Sequence, residues 1–169
     1  GKEWAEFNGA PTTNQNEHRE FWAEIYELIN MTNLMINAEF EPPAAVQEDY
    51  DNYIGQAHAM RALAHFDLVR LFAQTYTFTS DASHPGIPVV TEFAPDELPG
   101  RNTVGEVYEQ VISDFETAIP LLADDANNAG VITREAAQAL LSRVYLYMGR
   151  YAEAEALATE VVNSGRFTL

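Results

Sequence analysis

Cysteine is absent from the 169 residues, and lysine occurs once, at Lys2. The first absence excludes disulfides and thiolate metal sites within these residues and leaves the compartment open. The second leaves arginine to carry nearly all the positive charge, nine basic residues against 26 acidic ones, for a net charge of −17. Such a field repels phosphate backbones and anionic membrane surfaces, so nucleic-acid binding is disfavoured from the outset. An acidic, lysine-poor surface suits a protein that stays soluble in high salt. No apolar run approaches the ~20 residues that span a bilayer. No basic start followed by a short apolar stretch marks a leader peptide. Strand alternation of any length is also missing, which makes the class all-α. With 47% hydrophobic and 21% charged residues, the chain reads as one folded domain with a sizeable core.

What is present is helical periodicity. Residues 1–16 are polar and contain Gly9 and Pro11, and read as a loop. From residue 17 to 40, Phe21, Trp22, Ile25, Leu28, Ile29, Met31, Leu34, Met35 and Ile36 recur at three- and four-residue steps, predicting a helix with a broad buried stripe that Pro42-Pro43 ends. A second helix is expected over about 47–76 and largely buried, since Ala57, Met60, Arg61, Ala64, Phe66, Leu68, Val69, Leu71 and Phe72 cover much of its circumference. Gly55 weakens its first half by about 1 kcal/mol relative to alanine, which predicts a kink or break there. Between residues 77 and 101 the periodicity vanishes among Pro85-Gly86, Pro88, Pro95 and Pro99-Gly100. A loop of that length within a compact domain is uncommon and often functional.

Thr103-Val104-Gly105-Glu106 is a capping box opening a third helix, along which Val107, Val111, Phe115, Ala118, Ile119 and Leu122 form one stripe. After a polar turn over 124–130, Thr133 caps a fourth helix reaching about Met148, Gly149-Arg150 turns, and a fifth helix runs from Tyr151 to Asn163. Ser164-Gly165 stops it as a left-handed cap. Leu141, Ser142, Tyr145, Gly149, Tyr151, Ala154, Ala158 and Val161 carry tetratricopeptide-like spacing over 133–165. Small residues at Ser142 and Ala154 let the paired helices cross closely. The helices over 47–122 look like a second unit opened by the inserted loop, and Val111, Phe115 and Ala118 stand at the spacing of Ala154, Ala158 and Val161. Such units stack into a superhelix, and about three are normally needed for stability. Two units and a leading helix, with polar loop residues at one end and Phe167-Thr168-Leu169 at the other, imply that both ends are cut.

The same residues, in order, resemble the SusD/RagB family of nutrient-binding proteins. Trp22, Tyr26, Ile29 and Asn33 match its "W-x3-Y-x2-I-x3-N" helix. Ala57, Arg61-Ala62, Phe66, Leu68-Val69 and Leu71-Phe72 resemble the helix that follows, and Gly86-Ile87-Pro88 matches the "G-I-P" after the loop. Arg101-Asn102-Thr103-Val104 with Val107-Tyr108, Ile112, Asp114-Phe115 and Ala118 looks like the next helix, and residues 136–147 with 164–169 look like the last amino-terminal repeat. Gln56 replaces the family's acidic residue, Ala73 replaces a glycine, and the proline soon after is absent. The resemblance implies a surface lipoprotein of the bacterial outer membrane that binds oligosaccharide or another nutrient as a lid on a SusC-like TonB-dependent transporter. It implies no enzyme activity and no cofactor, and it places the lipid-bearing cysteine upstream of Gly1. On that reading this chain is mainly the helical scaffold part, and many ligand contacts lie beyond it. A general protein-interaction scaffold built from helical repeats is the alternative.

Sugar sites stack aromatic rings on the apolar face of a pyranose, flanked by hydrogen-bonding groups. Trp4 and Phe7 in the opening loop and Tyr76, Phe78 and His84 in the long loop can supply these. Of them, Trp4, Tyr76, Phe78 and His84 are the candidate ligand residues. Loop aromatics also anchor their loops by packing, and Trp22, on a helix stripe, belongs with the core. His58 and His65 share a helix face two turns apart, too far for one metal without other ligands. Asp124-Asp125-Ala126-Asn127-Asn128 lacks the alternate-residue pattern of a calcium loop. The order of serine, histidine and acid, the zinc motif and the glycine phosphate loop are all missing. Paired acids for glycoside hydrolysis need a deep cleft that a helical stack rarely supplies unaided.

Overall fold

The computed structural model describes residues 16–123 and 130–166. Within them the order is α1 (Asn16–Ile36), a 3₁₀ turn (Ala44–Val46), α2 (Gln47–Phe72), a second 3₁₀ turn (Tyr76–Phe78), α3 (Val104–Leu121), α4 (Arg134–Met148) and α5 (Tyr151–Asn163). No strand forms among the described residues. The fold is all-α and tetratricopeptide-like: α2 pairs with α3, α4 with α5, and α1 and α4 pack on the outer sides of the first pair. Phe66, Phe115, Ile29, Leu68 and Leu122 fill the space between them and are sealed from solvent.

The caps follow from local chemistry. The Thr103 hydroxyl accepts from the Glu106 amide at 3.2 Å while the Glu106 carboxylate accepts from the Thr103 amide at 2.7 Å, so two orphan donors at the start of α3 are satisfied reciprocally. Thr133 accepts from the Ala136 amide at 3.2 Å. Gly149, at φ 77°, ends α4 in the left-handed region, and Gly165, at φ 71°, follows α5. The Ser142 hydroxyl donates to the Ala154 carbonyl at 2.7 Å, so the small residues at this crossing hydrogen-bond as well as permit approach.

Several expectations need correction. Helix α1 ends at Ile36, short of the proline pair, and the Asn37 side chain just past its end donates to the Thr91 carbonyl at 2.9 Å. Its inner face beyond Ile29 is polar, with Thr32 and Asn33 buried, whereas Met31, Leu34 and Met35 face solvent. Helix α2 stops at Phe72, and its Met60 and Leu71 are exposed. Gly55 does not break it, since the helix is continuous from Gln47 to Phe72. A Cβ there would stand 3.0 Å from Leu121 Cβ and 3.2 Å from the Leu122 amide nitrogen, so the glycine serves the close approach of α2 and the end of α3. On α5, Ala154 is buried while Ala158 is exposed.

Two of the three family departures also find physical reasons. Gln56 accepts from the Ile132 amide at 2.9 Å and donates to the Ile132 carbonyl at 2.5 Å. A carboxylate could accept but not donate in this exchange. Ala73 sits at φ −128°, extended backbone that any residue adopts, so no glycine is required.

Candidate functional site

The long loop between α2 and α3 is irregular yet tightly held. Its limbs run antiparallel for a few residues: the Gly86 amide donates to the Asn102 carbonyl at 2.7 Å, Asn102 to the Ile87 carbonyl at 3.0 Å, and Val104 to the His84 carbonyl at 2.9 Å. Gly86 is compelled here, because a Cβ would meet the Asn102 and Thr103 carbonyl oxygens at 3.0 Å. Arg101 donates to the Gly86 carbonyl at 2.5 Å, the Phe72 carbonyl at 3.1 Å and the Pro85 carbonyl at 3.3 Å, a cation placed at the exposed carbonyl end of α2. Ile87 is wholly buried and anchors the loop in the core.

Beyond Ile87 the loop crosses α1 and is strapped there by side chains from the helices. The Tyr26 hydroxyl donates to the Pro88 carbonyl at 2.7 Å, and burial pushes this phenol up, keeping it protonated as a donor. The Asn33 amide donates to the Val90 and Glu92 carbonyls at 3.1 and 3.0 Å. The Val90 amide donates to His65 Nε2 at 3.3 Å, and His65 Nδ1 donates to the Arg61 carbonyl at 3.1 Å. Burial is the main cause that lowers the His65 pKa to about 4, with the charge of Arg61 adding to it against Asp114, so the ring is neutral and one nitrogen is free to accept.

Beneath the strap lies a buried ionic group. Arg61 donates from Nε and Nη2 to Asp114 at 2.9 and 2.6 Å and from Nη1 to Asn33 Oδ1 at 2.7 Å. His58 meets the same carboxylate at 2.8 Å. Burial pushes the Asp114 carboxyl up, but the hydrogen bonds from His58 and Arg61 and the arginine charge outweigh it and hold it below its ordinary value. Helices α1, α2 and α3 are thereby joined to one another and, through Asn33 and His65, to the loop. The two histidines are satisfied within this network.

The candidate ligand residues divide. Trp4, with Phe7, lies outside the described residues, as does the 124–128 turn. Tyr76 is half-buried, its ring 4.9 Å from that of Tyr108. Phe78 is 62% exposed, a large apolar ring left to solvent on an anchored loop. His84 is buried beneath it, with ring centroids 5.2 Å apart, and bonds through Nδ1 to Thr79 at 2.9 Å and Nε2 to the Gln74 carbonyl at 3.4 Å. The loop thus brings Tyr76, Phe78 and His84 into one short stretch in which His84 supports the exposed ring. Sequence reasoning missed a second feature. A half-open groove of about 680 Å³ runs between α1, at Trp22, Ala23 and Tyr26, and the loop segment from Pro88 to Pro99. Trp22 packs on Tyr26 and Phe72, each ring 4.9 Å away, but is only partly buried and turns its remaining surface to this groove. The two proline-bounded limbs of the loop were the available signal.

The described residues form a tetratricopeptide-like stack of helical pairs that carries a strapped loop with an exposed aromatic ring. The family model described as "Starch-binding associating with outer membrane" matches residues 2–146, and the chain belongs to this SusD-like family. Two SusD-like proteins of Formosa agariphila are 29% and 28% identical over 88% of this chain. A SusD superfamily protein of Bacteroides thetaiotaomicron superposes with a TM-score of 0.79 at 39% identity, covering 88% of this chain and 33% of that one. One from Bacteroides vulgatus gives 0.78 at 29% identity, covering 88% and 35%. A laminarin-binding SusD-like protein shares the fold, with a TM-score of 0.63 at 24% identity over 85% of this chain and 29% of its own length. The chain spans 27% and 28% of the length of the two Formosa relatives.

Proposed function

We propose that this chain is the helical scaffold part of a protein that binds oligosaccharide at the bacterial cell surface and delivers it to a SusC-like TonB-dependent transporter in the outer membrane, held there by a lipid anchor upstream of Gly1. The match to the starch-binding-associated family over residues 2–146 carries the reading. The geometry supports it: an anchored loop displays Phe78, and the site offers acceptors and rings for a sugar. Its chemistry is binding, and turnover of the glycan is not part of it. Tyr76, Phe78 and Trp4 are the proposed ligand contacts, with His84 acting from beneath Phe78.

The test is calorimetric titration of a glycan panel into wild type and Phe78→Ala. Removing an exposed stacking ring is expected to weaken glycan binding about tenfold, worth about 1.4 kcal/mol, with little change in melting temperature. Equal affinity in the two proteins would remove Phe78 from the site. Binding of a peptide partner with no glycan binding at all would replace this function by that of a helical-repeat interaction scaffold.

A further inference from the structure

The groove between α1 and the loop has features that the proposed Phe78 surface lacks. Its loop wall is preorganised: the backbone at Pro88, Val90, Thr91 and Glu92 is bonded to Tyr26, Asn33, Arg61, His65 and Asn37. The Ala94 amide reaches Asn30 Oδ1 at 3.4 Å on the helix wall. At about 680 Å³ it falls within the roughly 300–1,000 Å³ typical of ligand clefts. Trp22, Pro88, Val89 and Leu98 give it apolar surface, and Leu98 is 98% exposed at the rim.

Its charge is as informative as its shape. Among the described residues, the titratable groups lining it are the carboxylates of Glu92 and Glu97, both exposed, and the Tyr26 phenol, and none is a cation. Arg101, whose charge reaches Tyr26, commits its guanidinium to three backbone carbonyls. Arg19, a turn before Ala23, lies outside the lining. A ligand here meets apolar rings and hydrogen-bond acceptors within a protein of net charge −17. A polyol with apolar C–H faces and donating hydroxyls satisfies both. A sulfated or uronic glycan would bring its anions against the two carboxylates without a counter-charge.

We propose that this groove is a second ligand site, selective for neutral oligosaccharide over anionic glycans, an inference that rests on the glycan-binding reading above. Trp22 reports on it directly, because the chain has two tryptophans and Trp4→Phe leaves Trp22 as the sole indole. Neutral hexasaccharides (laminari-, malto- and xylo-) and matched anionic ones (oligogalacturonate, a sulfated glucan) are titrated into Trp4→Phe while Trp22 emission is followed.

The expected result is a saturable change with at least one neutral series and at least tenfold weaker binding of the anionic ones. Ala23→Trp, on an exposed helical position and followed by calorimetry, should obstruct the groove and cost at least tenfold in neutral-glycan affinity. Glu92→Arg with Glu97→Arg should narrow or reverse the preference against anions without relying on the occluding variant. Glycan binding that is lost in Phe78→Ala but unchanged in Ala23→Trp, with silent Trp22 emission, overturns the groove and leaves the proposed function standing. No glycan binding by wild type overturns both. A saturable change in Trp22 emission with an arginine-rich peptide, with neutral sugars inert, assigns the groove to a cationic partner and overturns the oligosaccharide.

Discussion

His65 occupies no surface and reaches the groove only through the Val90 amide, yet the loop depends on its being uncharged. With a pKa near 4 in the folded protein against an ordinary 6.5, the unfolded chain binds more protons throughout the interval between these values. Stability from this group is therefore complete above about pH 6.5, declines as pH falls through the interval, and is lost below about pH 4, by up to about 3 kcal/mol. Urea unfolding at about pH 7, 5.5 and 4.5 should show that decline. His65→Gln keeps an acceptor for the Val90 amide but cannot titrate, so its profile should be flatter in this window. A variant as pH-sensitive as wild type would disprove the assignment. The sequence places His65 too far from His58 for one metal, but it does not show the histidine's partners. Arg61 and Asp114 are 53 positions apart and Arg61 and Asn33 28 apart, and helical periodicity carries no information about which polar residues meet across helices.

At the scale of elements, the local signals were read well where the chemistry is local. The capping box at Thr103, the left-handed Gly149 and the Ser142–Ala154 crossing each involve residues within a turn or one hairpin. The errors arose where a tertiary contact set the outcome. Propensity, which counts only the helix, makes Gly55 a weakness of α2, whereas Leu121 and Leu122 require its missing side chain. Likewise the polar inner face of α1 was obscured by Met31, Leu34 and Met35, whose spacing mimics a core stripe. The proline-bounded limbs of the loop were the one signal of the groove, and they could not place it, because its walls meet only after the loop folds back over α1. A matched pair of substitutions tests the glycine account. Gly55→Ala should gain the helix propensity of alanine and still lose about 1–3 kcal/mol to overpacking. Gly100→Ala, where an added Cβ meets nothing within 4 Å, should be neutral or stabilise by up to about 1 kcal/mol. Thermal unfolding of the two variants decides it, and equal effects would dismiss the packing explanation.

For the molecule as a whole, a net charge of −17 opposes its own compactness. Salt screens that repulsion, and raising sodium chloride from about 0.05 M to about 1 M shortens the Debye length several-fold. The melting temperature should rise by several degrees over this range, and a flat or falling trend would show that exposed ion pairs such as Arg150–Glu153 outweigh the long-range field. The all-α class and the family were both legible at this scale, since order and spacing along the chain are what a repeat fold imposes on its sequence.

The strap across α1 has one more consequence. The helices grip the loop by its main chain, through the carbonyls of Pro88, Val90, Thr91 and Glu92 and the amide of Val90, which every amino acid can offer except for the amide of proline. The architecture therefore separates inheritance of shape from inheritance of taste. Residues buried on the helices preserve the path of the loop, while the side chains it displays are released from structural duty. Selection can rewrite those side chains for a new nutrient one substitution at a time, without first paying to refold the segment that carries them.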